Sequence, residues 1–382
     1  MNSQIRAIDV RLLGRKRTGD ETVFFNLTKE LLAQDRDHEY WLLTDERDEA
    51  TLYTLRERLG IVGTSQVRLV TIPGRNRFVW NLVTLPWFLL THKVAVFHTQ
   101  YILPLFVPAR TKVVDHIHDV SFAALPQYIG WSDRLFLSVF IPLALRRADR
   151  VVVPSQFTKD EIIRHYGISG DKIVLVPNAL SVEFQTLSQS NFETIRQAYG
   201  LPEQYIISVG TLQPRKNLPL LIRAWAKLRE RLPEVRLVLV GNRAGHHFDP
   251  DIDRAIAECH GEEGVIFPGY ISASDLPAVI RMARVFALPS RYEGFGIPLL
   301  EAMSQDVPVA ASDIPCLSEV AGPAALYFDP TNVATCEEKL YTLLTDNNVR
   351  ENAISLGRGR VSLFSWRTSA TKLLSLYDEL SR

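Results

Sequence analysis

The feature that most constrains this chain is an alternation. Short runs rich in Val, Ile and Phe recur along it, separated by longer stretches with helical spacing, which is how consecutive β-α-β units and their parallel sheets are written in a sequence. A first series of expected strands covers Ile5 to Leu13, Tyr40 to Thr44, Val67 to Thr71, Val94 to Phe97, Lys112 to His116, Arg150 to Val153 and Ile173 to Val176. A second covers Tyr205 to Val209, Arg236 to Val240, Val265 to Phe267, Val285 to Ala287, Val307 to Ala311 and Ala325 to Phe328. Between them, Ser181 to Gly200 is rich in Ser, Gln and Asn and continues neither pattern. Single cores seldom grow past roughly 250 residues, so 382 residues with one such interruption imply two α/β domains. Each is a doubly wound, Rossmann-like unit, residues 1–182 and 183–364.

In open parallel sheets, ligands bind beyond the carboxyl ends of the strands, where loops and helix N-termini converge. The residues that follow the expected strands therefore carry the chemistry. One strand runs into Arg291-Tyr-Glu-Gly-Phe-Gly-Ile-Pro-Leu-Leu-Glu301. Gly294 and Gly296 allow close backbone approach to a ligand, and the helix behind them offers free N–H groups to anionic oxygens. Glu293 falls at the turn and Glu301 within the helix, a pair able to accept hydrogen bonds from two parts of a polyhydroxylated ligand. A pair so spaced is also common on solvated helices, but Glu301 sits between Leu300 and Ala302 in an apolar run, where a buried carboxylate needs partners.

A second strand passes through Gly210 into Thr211-Leu-Gln-Pro-Arg-Lys-Asn217. Cations are unfavourable at a helix start, so Arg215 and Lys216 there imply that an anion is held. A guanidinium fork and a mobile ammonium suit a diphosphate that gains charge as it leaves. In the first series, Asp115-His-Ile-His-Asp119 invites a metal reading, but no partner set of Asp, Glu or Cys lies at ligand spacing. His116 reads as a core residue and His118 as a polar contact to a sugar hydroxyl. Gly19, in the turn Gly14 to Glu21, offers backbone donors to a phosphate, a weak signal alone.

Taken in order, these stretches resemble glycosyltransferase family four, the retaining enzymes of GT-B fold. The resemblance rests on His118-Asp119, Val153-Pro-Ser-Gln-Phe-Thr158, Val176-Pro-Asn-Ala179, Gly210 to Asn217, Phe267-Pro-Gly-Tyr270, Glu293 to Glu301 and Ser318-Glu-Val320. It implies two domains facing across a cleft, with a last helix, Ser365 to Leu380, crossing back to the first domain, which adds residues 365–382 to it. It also implies that Glu293 contacts the transferred sugar and Glu301 the ribose, and that Arg215 and Lys216 neutralise the diphosphate. His118 touches the sugar, Gly19 adds backbone donors to the phosphates, Gly210 belongs to the donor-binding set, and amides around Phe295, Gly296, Ile297 and Pro298 position the sugar. No nucleophile is demanded. Two positions depart from the pattern: Ala179 stands where glycine is usual, and Asp306 where a small residue is.

The expected activity is hexosyl transfer from a nucleotide sugar to a saccharide or lipid-linked saccharide. The motif wording resembles bacterial mannosyltransferases that use GDP-mannose in surface polysaccharide synthesis, with UDP-glucose-type donors and an epimerase of the same fold as alternatives. A dinucleotide oxidoreductase is disfavoured, because no G-x-G-x-x-G follows the first strand. No metal or other cofactor is expected. Forty-three basic residues balance forty-three acidic ones, so no global field draws in nucleic acid. Three cysteines, Cys259, Cys316 and Cys336, make no disulfide framework, and the charged N-terminus reads as a strand, which together suggest a cytoplasmic protein. Two apolar segments, around Trp80 and around Phe140, read as buried helices or as surfaces that touch the inner face of a membrane.

Overall fold

The computed structural model describes residues 4–14, 19–74, 76–185, 191–245 and 248–382. The chain divides into two compact units, Met1–Asn178 with Ser365–Arg382, and Ala179–Phe364.

The first unit holds seven parallel strands: β1 (Ile5–Asp9), β2 (Glu39–Thr44), β3 (Val67–Thr71), β4 (Val94–Gln100), β5 (Lys112–His116), β6 (Arg150–Val153) and β7 (Ile173–Leu175), in the order β3-β2-β1-β4-β5-β6-β7. The order reverses between β1 and β4. β1 is shorter than its apolar run, because Leu13 N–H closes a turn on the Val10 carbonyl at 2.9 Å. Ile141, Leu145, Val151, Val153 and Ile162 form one core cluster, and Ala7, Leu43, Trp80, Phe88 and Phe97 another.

The C-terminal helix Trp366–Leu380 packs on the helix Gly19–Gln34 in this same unit. Polar contacts fix it there. The buried Arg6 guanidinium pairs with Asp378 of this helix and, at 2.8 Å, with Asp35. Ser369 Oγ donates to the Pro177 carbonyl at 2.6 Å.

The second unit holds six parallel strands: β8 (Tyr205–Val209), β9 (Arg236–Val240), β10 (Val265–Ile266), β11 (Val285–Leu288), β12 (Val309–Ser312) and β13 (Ala325–Phe328), ordered β10-β9-β8-β11-β12-β13. β12 starts after Pro308, which has no N–H to give a ladder. Adjacent residues along one strand face opposite ways, so Ile207 and Phe286 join one apolar cluster while Ile206 and Val285 join another. The reversal falls between β8 and β11, which pair at Ile206↔Val285 and Ile207↔Phe286. The two distinctive turns of the sequence are thereby brought side by side.

Asp306 takes a left-handed backbone (φ 59°), and its carboxylate accepts from Arg358 Nε at 2.7 Å. This accounts for a small or glycine residue being usual there.

Candidate functional site

The turns that follow β8 and β11 meet through charge. Lys216 Nζ donates to Glu293 Oε1 at 2.5 Å, and Arg215 Nη1 to Oε2 at 3.2 Å. Ser290 Oγ donates to Oε1 at 2.6 Å. Glu293 is 6% exposed and Lys216 9%, so this is a buried pair with an additional guanidinium at its edge. Burial alone would raise the Glu293 carboxyl, but Lys216 and Arg215 outweigh it and hold the group at about 2. The carboxylate is ionised at neutral pH, its electron pairs engaged by three donors. Such a group positions other charges and is a poor nucleophile or proton acceptor.

Local backbone makes this possible. Arg215 and Lys216 sit in a short 3-10 turn, Pro214–Lys216, that ends at Asn217 in a left-handed conformation (φ 55°). The Asn217 amide secures the turn, donating to the Pro289 carbonyl at 3.1 Å and the Pro330 carbonyl at 2.8 Å. On the facing turn, Gly296 has φ 92°, and a Cβ there would lie 2.7 Å from Leu317 Cδ2. A side chain at that position is strained by backbone and by packing alike.

The sequence reading treated the acidic and basic pairs as separate grips. The structure joins Glu293 to both cations. Glu301 is the fifth residue of the helix Ile297–Ser304 and is half-buried. Gly294, Phe295 and Gly296 are buried, and Ile297 and Pro298 open that helix. Gly210 (φ 154°) lies against Lys216, whose Cε would be 3.7 Å from a Cβ placed there. Ser290 and Asn217 were not singled out from sequence as site residues, because serine and asparagine in turns are commonplace; only the strand order reveals what they touch.

Beside Gly210 opens a hollow of about 600 Å³ lined among others by Val240, Arg243, Phe267, Tyr270, Ile271 and Leu276. It lies past the ends of β8, β9 and β10. Its size is that of a small-molecule site, and its wall is mostly apolar with Arg243 over the Phe267 ring at 4.6 Å.

In the first unit, His118 follows β5. Its Nε2 is 2.8 Å from Gln100 Oε1, and its Nδ1 has no hydrogen-bond partner among the described residues. Its ring stacks on His116 (4.5 Å, 24°), which stacks on His98 (5.6 Å, 3°). His98 Nδ1 meets the Tyr377 hydroxyl of the C-terminal helix at 2.5 Å. His116 is fully buried among these rings. No group of three or more His, Cys, Asp or Glu among the described residues is placed to hold a metal ion. Gly19 opens the helix Gly19–Gln34, is exposed, and a Cβ there would meet nothing within 4 Å. Residues 15–18 of its turn, Thr18 included, lie outside the described residues.

Residues 17–184 match the family model described as Glycosyltransferase Family 4, and residues 191–360 the one described as Glycosyl transferases group 1. The chain is 33% identical over 301 residues to the O-antigen chain mannosyltransferase B of Escherichia coli, covering 77% of each. It is 29% identical over 235 residues to the serotype-specific mannosyltransferase WbdA of Escherichia coli, covering 59% of this chain and 28% of that longer one. Among solved structures, Anabaena HepE in complex with UDP-glucose superposes with a TM-score of 0.73 at 20% identity, over 97% of this chain and 99% of that one.

Proposed function

Because the chain belongs to glycosyltransferase family four and is a hexosyltransferase of GT-B fold, we propose that it transfers mannose from GDP-mannose, with retention, to a saccharide or lipid-linked saccharide acceptor in surface polysaccharide synthesis. The observation that carries this reading is the buried Lys216–Glu293–Arg215 cluster at the strand-order reversal of the second sheet, beside a hollow of nucleoside size. The named mannosyltransferase relatives support the choice of sugar.

In this reading the bond from the anomeric carbon to the diphosphate breaks, and the acceptor hydroxyl oxygen bonds to that carbon on the same face. The acceptor proton passes to the departing phosphate oxygen. Lys216 and Arg215 stabilise the charge that develops on the diphosphate, while ionised Glu293 keeps both cations in place and orients the sugar. Glu301 accepts from the ribose, His118 contacts the sugar, and Gly19 and Gly210 lie against the phosphates. No metal or other cofactor takes part, and the enzyme works on the cytoplasmic side of the membrane.

A calorimetric screen of GDP, GDP-mannose, UDP and UDP-glucose tests the donor directly. GDP and GDP-mannose are expected to bind most tightly, and a preference for the UDP pair would replace the donor. Incubation with GDP-mannose alone separates transfer from epimerisation, since only an epimerase interconverts sugars without an acceptor.

A further inference from the structure

The helix Trp131–Arg147 exposes one apolar stripe at i, i+4 spacing: Trp131 (81% exposed), Leu135 (61%), Val139 (55%) and Leu143 (41%). Residues four apart share a face of a helix, so these side chains form a continuous band facing solvent. A second apolar surface adjoins it. The helical segment Arg77–Thr91 exposes Phe78, Val83, Trp87 and Leu90, and the loop after β4 exposes Leu105 and Phe106. The two surfaces are joined: the Phe78 and Phe136 rings meet edge to face at 5.4 Å, and Arg77 lies over Phe136 at 4.4 Å. A groove lined by Phe78, Leu82, Leu105, Phe136, Phe140 and Leu143 runs between them. Contiguous exposed apolar surface of this extent marks an interaction site.

Charge identifies the partner. Residues 76–112 contain no carboxylate, against Arg77, Lys93, Arg110 and Lys112, of which Lys112 pairs with Asp149 at 3.1 Å, in a chain whose acidic and basic residues balance overall. Arg146 and Arg147 are exposed at the end of the striped helix, where Asp133 is the one acidic residue and is paired to Arg77 at 3.5 Å. Arg134 and Arg146 line an open hollow along its flank. Exposed tryptophans beside aliphatic residues and guanidiniums suit the boundary between lipid headgroups and acyl chains. A second copy of the chain on this surface would set like charges against each other across a two-fold axis. No described helix is long and apolar enough to cross a membrane.

We propose that this face of the first unit docks on an anionic lipid surface, with Trp87, Trp131, Leu135 and Val139 inserting and the arginines meeting phosphate headgroups. The proposal goes beyond the donor reading and does not rest on it, because its residues are separate from Lys216 and Glu293.

Cosedimentation of the full chain with vesicles of phosphatidylglycerol and phosphatidylethanolamine, compared with phosphatidylcholine alone, tests it. The wild type sediments with the anionic vesicles, and far less in salt of about 1 M, which shortens the Debye length to roughly 3 Å. Leu135→Glu with Val139→Glu abolishes sedimentation, while Arg134→Gln with Arg146→Gln lowers the affinity roughly thirtyfold on anionic vesicles only. Both variants keep the wild-type melting profile and the wild-type rate on a soluble acceptor, so loss of docking and loss of transfer are read separately. The proposal is overturned if the wild type stays in the supernatant, or if the arginine variant, which leaves the apolar stripe intact, sediments like the wild type. It is equally overturned if light scattering shows a dimer that the Leu135→Glu, Val139→Glu variant dissociates.

Discussion

The second unit and the first solve the same electrostatic problem in opposite ways. In the second, a buried carboxylate stays charged because Lys216 and Arg215 are brought to it, and it is held at about 2. In the first, Arg6 and Asp35 are likewise paired, but the buried groups at the ends of β4 and β5 stay neutral. Among the described residues, His98 Nε2 and both nitrogens of His116 have no hydrogen-bond partner. Burial, aided by neighbouring histidines, lowers His98 to about 3 and His116 well below its ordinary value, and burial raises Asp115 to about 8. Charge is kept where cations are brought to the carboxylate and suppressed where buried rings only stack on one another.

The largest expected effect comes from taking the paired cluster apart. Lys216→Ala lowers kcat/KM by about a hundredfold to a thousandfold. It also destabilises the chain by about 3–5 kcal/mol, since it leaves a buried carboxylate short of a partner. The double variant Lys216→Ala, Glu293→Ala recovers part of that stability and none of the activity. A denaturation double-mutant cycle reads this as coupling, and strict additivity would mean that the two groups are independent.

Acid sharpens the comparison next. The folded chain keeps His98 and His116 neutral while the unfolded chain takes up protons below about 6.5. Stability therefore falls as pH drops from about 6.5 toward 3, by up to about 1.4 kcal/mol per pH unit for each ring. Asp115 acts in the other direction, costing stability as pH rises from about 4 to 8, but one group does not cancel two. Glu293 contributes stability that is lost only as pH falls below about 4.5 toward 2. Melting temperature against pH should thus decline first through the histidines. His116→Leu should flatten the slope above pH 5, and Glu293→Gln only the slope below it. A common effect of both variants over one range would remove the distinction.

Smaller effects follow. Tyr377→Phe removes the hydroxyl that meets His98 Nδ1 and leaves that ring without a partner on either nitrogen, at a cost of about 1–3 kcal/mol in urea titration. Asp306→Gly relieves the left-handed backbone and loses a partly exposed ion pair to Arg358, so the two changes nearly cancel and the melting point moves by no more than about 1 kcal/mol would produce.

The strands were legible because β-branched runs between helical spacings report the sheet directly, and only their ends shifted, as at Asp9 and Val309. Gly296 was legible because a turn with a left-handed backbone favours glycine. The pairing of Lys216 with Glu293 was not. Seventy-seven residues separate them, and nothing local records that β8 and β11 are neighbours. The contact between His98 and Tyr377, 279 residues apart, was hidden for the same reason. The exposed stripe from Trp131 to Leu143 was visible as an apolar segment, but a sequence does not show which face its helix buries.

The central claim is that Glu293 acts through its charge, by positioning the cations and the sugar. Glu293→Gln keeps the shape and the burial of that side chain while removing the charge. The most direct measurement is kcat/KM for transfer from GDP-mannose by this variant. A fall of at least about a hundredfold, with GDP still bound, is the predicted result, and turnover at the wild-type rate would contradict it.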